Sequence, residues 1–172
     1  MPTLKIYTYG EPILRKVARP VQDINEPIQK LAKDMMATME ALEGVGLAAT
    51  QVGMLERIMV VNPKEGREPF TLINPEIISR AGEEVLEEGC LSIPGLREKV
   101  KRSHRLLIKG MDLNGKEIRL EGEGLVARIL EHEVDHLNGI LFIDHLSLIK
   151  RGLLRPKLMA IARSRNGRGG CA

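Results

Sequence analysis

The chain reads as an α+β fold: short antiparallel strands packed around a central helix that carries a His-Glu-x-x-His sequence, with one further helix near each end. Three observations predict this. Apolar residues recur at helical spacing early in the chain and again around residue 130. Between these stretches lie short β-branched runs separated by Asn-Pro, Pro-Gly and Asn-Gly pairs. The 172 residues, 43% of them hydrophobic, suffice for one domain with a real core.

The first helix is expected at residues 26–42. Ile28, Leu31, Ala32, Met35, Met39 and Leu42 form its apolar stripe. Asn25 caps its start, Pro27 suits its first turn, and Gly44 and Gly46 end it. Strands are expected at 57–61, 70–78, 97–102, 106–111 and 117–120, with Asn114-Gly115 as the strongest hairpin signal. The second helix is placed at 124–137, where Leu125, Ile129, His132 and His136 share one stripe. A last helix is placed at 153–163, with Pro156 in its first turn or breaking it. Residues 1–165 are read as a single catalytic domain and 166–172 as a disordered basic tail.

Composition excludes several classes. Aromatics are 2% and Trp is absent, so no stacking platform for single-stranded nucleic acid is expected. Two cysteines make no disulfide framework. No secretory signal and no run of about 18 apolar residues is visible, which predicts a cytoplasmic protein without membrane contact. Charge is uneven. Seven basic and no acidic residues follow Leu146, leaving −4 on residues 1–145 against +3 for the whole chain. Such a tail is usually solvated surface, and it is also where an anionic partner would be met.

The chemistry centres on His132-Glu133-Val134-Asp135-His136. Residues i and i+4 stand one above the other on a helix, so two imidazoles can share one metal ion without backbone distortion. Glu133 is then close enough to take a proton from a water on that ion. A third protein ligand is needed. Downstream, the spacing of a metzincin peptidase fails, because residue 142 is Phe142 and His145 comes three residues late. Asp144 and His145 remain candidates through a tight turn. Upstream, Cys90 lies in a turn-like setting between Gly89 and Pro94, and its thiolate suits Zn²⁺ or Fe²⁺ beside two imidazoles.

A third segment is Gly44-Val45-Gly46-Leu47-Ala48-Ala49-Thr50-Gln51. It follows a helix and lacks the Lys-Ser/Thr ending of a phosphate loop. Gly44 and Gly46 permit close backbone approach to a ligand, and Gln51 is a neutral donor suited to an oxyanion. Leu125 and Ile129 precede His132 on its stripe and are expected to line an apolar pocket beside the metal.

Together, Gly44 to Gln51, Glu88-Gly89-Cys90-Leu91-Ser92 and His132 to His136 resemble, in order, the three signature motifs of peptide deformylases. Pro12-Ile13-Leu14-Arg15 and Leu137-Asn138-Gly139-Ile140-Leu141-Phe142-Ile143-Asp144 fit as well, and the basic end resembles the bacterial class that finishes in a helix. The resemblance implies a hydrolase that removes the formyl group from formyl-methionyl nascent polypeptides and releases formate. It implies that Cys90, His132 and His136 bind one divalent metal. Fe²⁺ is expected in the cell, with Zn²⁺, Ni²⁺ or Co²⁺ able to occupy the site. Water attacks from the metal, Glu133 serves as general base and then acid, and Gln51 and the Leu91 N–H hold the oxyanion. Arg97 would contact the substrate backbone, and Glu88 would orient a ligand ring. Expected partners are formylated nascent polypeptides and, through the basic end, the ribosome, with no sequence-specific nucleic acid.

Overall fold

The computed structural model describes residues 3–64 and 66–164. Three helices, α1 (Glu26–Ala41), α2 (Leu125–Leu137) and α3 (Leu148–Ser164), accompany seven strands among these residues. The strands are β1 (Gly46–Ala48), β2 (Ile58–Val61), β3 (Phe70–Ala81), β4 (Glu84–Cys90), β5 (Ile93–Arg102), β6 (Arg105–Met111) and β7 (Glu117–Glu123). An antiparallel sheet runs in the order β1-β2-β3-β6-β7, and β4-β5 form a separate antiparallel hairpin.

The large sheet lies between two helices. Met59, Val61, Leu72, Leu106 and Ile108 pack with Ile129, Leu130, Val134 and Leu137 of α2. Ile58, Val60 and Ile73 pack with Ala32, Met35 and Met39 of α1. Successive side chains of a strand point to opposite faces, so a strand covered on both sides must be apolar throughout. β2, with the sequence Ile58-Met59-Val60-Val61, is buried at every position for that reason. A third cluster joins Ile93, Leu96 and Val100 of β5 to Leu14, Phe142 and Ile143, and Leu154 and Leu158 of α3 close it.

Several expected boundaries shift. Helix α1 is capped by Asn25, which accepts from the Ile28 N–H at 3.2 Å. It ends one residue earlier than expected, at a left-handed Glu43 (φ 55°) rather than at a glycine. The Glu43 N–H reaches the Glu40 carbonyl and the Gly44 N–H the Met39 carbonyl, a Schellman ending. Gly46 starts β1, a three-residue edge strand too short to be read from a pattern. Strand β4 also escapes, because its sequence Glu-Val-Leu-Glu-Glu-Gly-Cys lacks an apolar alternation. Its acidic residues run beside the basic β5, where Glu87 pairs with Arg97 at 3.1 Å and Glu88 with Arg102 at 2.7 Å.

The Asn114-Gly115 hairpin forms between β6 and β7, but not as a two-residue turn. Gly115 alone of the pair is left-handed (φ 78°), and Asp112 Oδ1 accepts from the Asn114 and Lys116 N–H groups. The last helix starts five residues earlier than expected, at Leu148. Ser147 Oγ accepts from the Lys150 N–H at 3.2 Å and so caps it. Pro156 therefore lies inside the helix, where it cannot donate a hydrogen bond to the Gly152 carbonyl one turn earlier. The expected disordered tail, 166–172, falls outside the described residues.

One close approach sets the position of α2. A Cβ on Gly122 of β7 would stand 2.9 Å from Leu130 Cδ1 and 3.1 Å from the Ala127 nitrogen. Gly122→Ala is therefore expected to lower stability by about 1–3 kcal/mol, read as a lower urea midpoint at unchanged slope. An unchanged midpoint would mean that helix and sheet have slack at this contact.

Candidate metal centre

Three chain segments meet at one end of α2. His132 and His136 project from α2, Cys90 stands at the end of β4, and Gln51 lies in a short 3-10 turn (Ala49–Val52) that follows β1. Cys90 Sγ is 3.2 Å from His136 Nε2, and His136 Nε2 is 3.2 Å from His132 Nε2. The ligand atoms of all three lie within 4.8 Å of one another, and no other such group of His, Cys, Asp and Glu occurs among the described residues. A tetrahedral ion with bonds of about 2.0–2.3 Å separates its ligands by about 3.3–3.6 Å. The donor set and its spacing therefore fit a divalent metal.

The surroundings shift the two rings in opposite directions. Burial would lower His132, but its hydrogen bonds to Cys90 and Glu88 outweigh this and raise it well above the usual range. Burial and the positive charge of His132 push His136 well below it. The two shifts run in opposite directions across the 3.2 Å Nε2–Nε2 contact.

Each candidate residue has a definite setting. Glu133 is buried, and its Oε2 has no hydrogen-bond partner. Burial, opposed by His132, pushes its carboxyl up to about 7. Glu88 meets His132 Nδ1 at 2.5 Å through Oε1. Burial would raise Glu88, but the bonds from His132 and Arg102 hold it well below the carboxylate range. Gln51 Oε1 accepts from the Ala48 N–H at 2.8 Å, which turns Nε2 towards Cys90 Sγ (3.6 Å) and Ser92 Oγ (3.2 Å). The Leu91 N–H makes no hydrogen bond with the described residues.

A cavity of about 640 Å³ opens here, lined by Gln51, Cys90, His132 and Glu133 and by Gly44, Gly46, Leu91, Arg97, Leu125 and Ile129. The two glycines lie close to protein side chains. A Cβ at Gly46 would overlap the Glu133 carboxyl, with Cδ at 2.8 Å, and one at Gly44 would press on Leu91 at 3.1 Å. Ile129 is buried, whereas Leu125 is half-exposed at the mouth. Arg97 pairs with Glu87 at 3.1 Å on the rim.

The downstream candidates are engaged elsewhere. Asp144 pairs with Arg15, and His145 Nε2 meets Asp135 at 2.7 Å. Phe142 is buried behind His132, the ring centroids 6.3 Å apart. Sequence reasoning passed over Ser92, Arg102, Arg128 and Asp135. Arg102 sits in a basic run that marks nothing. Arg128 did leave a signal: a charge four residues before His132, on the buried stripe of the helix.

Residues 3–152 match the family described as polypeptide deformylase. The chain is 49% identical over 160 residues to a peptide deformylase of Thermodesulfovibrio yellowstonii, covering 91% of this chain and 97% of that one. It is 51% identical over 144 residues to one of Halothermothrix orenii, covering 84% and 94%. The crystal structure of a peptide deformylase from Legionella pneumophila superposes with a TM-score of 0.88 at 42% identity, over 96% of this chain and 98% of that one. On the motifs, the ligand geometry and these likenesses, the chain belongs to the polypeptide deformylase family and is a metal-dependent hydrolase of that class.

Proposed function

We propose that this chain removes the formyl group from the N-terminal formyl-methionine of nascent polypeptides, releasing formate, with one divalent metal held by Cys90, His132 and His136. The observation that carries the reading is the convergence of these three ligand atoms beside a buried carboxyl, Glu133, with an unpartnered oxygen. When bound, the ion would act as a Lewis acid, polarising the formyl carbonyl and lowering the pKa of water towards neutrality. Fe²⁺ is the metal proposed in the cell, with Zn²⁺, Ni²⁺ or Co²⁺ able to replace it. The mixed sulfur and imidazole donors suit these ions.

The chain's own residues then have distinct work. Glu133 Oε2 accepts a proton from the attacking water and returns it to the departing amine nitrogen. Gln51 Nε2 and the Leu91 N–H donate to the oxygen on which negative charge develops. Gly46 leaves the space that the Glu133 carboxyl occupies. Ile129 and Leu125 offer apolar surface for the methionine side chain, Gly44 the room beside Leu91, and Arg97 a donor for the substrate backbone. Glu88 holds His132 with Nδ1 bonded and Nε2 facing the ligand cluster.

Residues 1–165 are taken as one catalytic domain, because α3 supplies Leu154 and Leu158 to a cluster that also contains β5. No helix among the described residues is long and apolar enough to cross a membrane. A cytoplasmic location is proposed, where nascent chains are met. Ribosome contact is proposed through α3, whose exposed face carries Arg155, Lys157 and Arg163 beside Leu148, Ile149 and Leu153.

Formyl-Met-Ala should release formate. Glu133→Ala should lower kcat by about 10²–10⁴-fold while keeping the metal, whereas Cys90→Ala should lose the metal itself. Activity retained in Glu133→Ala would refute the assignment. Metal affinity should fall as pH is lowered, because the ligands must give up their protons to bind the ion and the surroundings of His132 raise its pKa. Titration calorimetry in buffers of different ionisation enthalpy should show proton release, and an affinity independent of pH would contradict it. Removing α3 would open its cluster, so ribosome contact is better tested by charge. Arg155→Gln, Lys157→Gln and Arg163→Gln together should weaken cosedimentation with ribosomes and flatten its salt dependence, with formyl-Met-Ala turnover unchanged. Unchanged cosedimentation would remove α3 from the contact.

A further inference from the structure

Two arginines that the mechanism does not use converge on Glu88. Arg102 closes strand β5, and Arg128 lies on α2, one turn before His132. Both are almost fully buried, as is Glu88. Arg102 grips both carboxylate oxygens, Nη2 to Oε1 at 2.7 Å and Nε to Oε2 at 3.1 Å. Arg128 Nη1 reaches Oε2 at 2.9 Å. With His132 on Oε1, the carboxylate meets four nitrogen donors. An ionised carboxylate has about four lone-pair positions, so the group is saturated and has no second orientation that keeps its bonds.

Further bonds of the two arginines run between the two halves of the metal centre, while Arg128 Nε is buried with no partner among the described residues. Arg102 Nη1 crosses from the β4-β5 hairpin to Asp135 of α2 at 2.5 Å, between the two histidines in sequence. Arg128 crosses the other way, from α2 to backbone carbonyls of the hairpin: Glu84 (3.1 Å) and Leu86 (3.4 Å) on β4 and Val100 (3.0 Å) on β5. The hairpin carries Cys90 and the helix carries His132 and His136.

We propose that Arg102 and Arg128 form a reciprocal clasp on Glu88 that locks the cysteine-bearing hairpin against the histidine-bearing helix and so presets the spacing of the three metal ligands. Both are positioning residues acting through Glu88. The inference rests on the proposed metal centre. An arginine is needed at each place because a planar fork meets two acceptors in fixed directions, which a lysine cannot do. Without the clasp the two elements still pack, but the sulfur and the imidazoles no longer share one distance, and the ion leaves more easily.

The test uses the full chain loaded with Zn²⁺ or Co²⁺ and follows release of the ion to an excess of chelator, well below the unfolding temperature. The variants are Arg102→Met, Arg128→Met and the conservative Arg102→Lys. Release is expected to be faster by about 10–100-fold in the Met variants, with a smaller increase for Lys. The visible spectrum of the Co²⁺ form should change in shape as well, which a loss of stability alone would not cause. Release at the parent rate with the parent spectrum, in a variant with native circular dichroism, overturns the clasp. If the Met variants do not fold, Arg102→Lys decides by the same two readings. A parent protein that binds neither ion would instead overturn the metal centre, and the clasp with it.

Discussion

The Glu88 carboxylate joins parts of the fold that share no continuous hydrophobic layer. The large sheet and α2 make one core, and the β4-β5 hairpin with α3 makes another. Between them stand two arginines, a histidine and a carboxylate, buried together. Burying such charges is costly unless each is paired and hydrogen-bonded, and here every charge has a partner and the Glu88 carboxylate meets four donors, although Arg128 Nε is left without one. Removing one member leaves the rest uncompensated in a dry interior, so the arrangement is specific rather than merely adhesive. The proposed metal ligands occupy the same seam, with Cys90 two residues after Glu88 and His132 bonded to it.

The same seam explains the chemistry available at the cavity. Glu133 stands on the helix next to His132, yet its carboxyl faces Gly46 of β1 rather than the ion pairs. Burial without a partner leaves it free to take and return a proton. Gln51 is fixed by a backbone N–H on one side, which turns its amide nitrogen towards Cys90, Ser92 and the cavity. Rigid elements on three sides thus set a donor, a base and three ligand atoms around one space.

Much of this was legible in the sequence, for identifiable reasons. Helices α1 and α2 announced themselves because each buries one stripe against a sheet. The His-Glu-x-x-His spacing placed two candidate ligands and a candidate base together, since a helix leaves little freedom over one turn. Cys90 was selected against His145 and Asp144 by its motif, and the structure brings it within 3.2 Å of His136 Nε2. The family resemblance agrees with the matches across residues 3–152. Strand β4 was not legible, because its sequence carries no apolar alternation. Strand β1 was too short, and Glu43 took a left-handed turn that composition assigns to glycine. Arg102 and Arg128 were missed because a charge reads as solvated surface until the fold shows what it faces.

The central claim is that one sulfur and two imidazoles hold the ion. X-ray absorption on the zinc-loaded protein tests it most directly. The account predicts one sulfur scatterer at about 2.3 Å and imidazole nitrogens at about 2.0–2.1 Å, with the sulfur lost in Cys90→Ala. A shell of nitrogen and oxygen alone in the unsubstituted protein would contradict it.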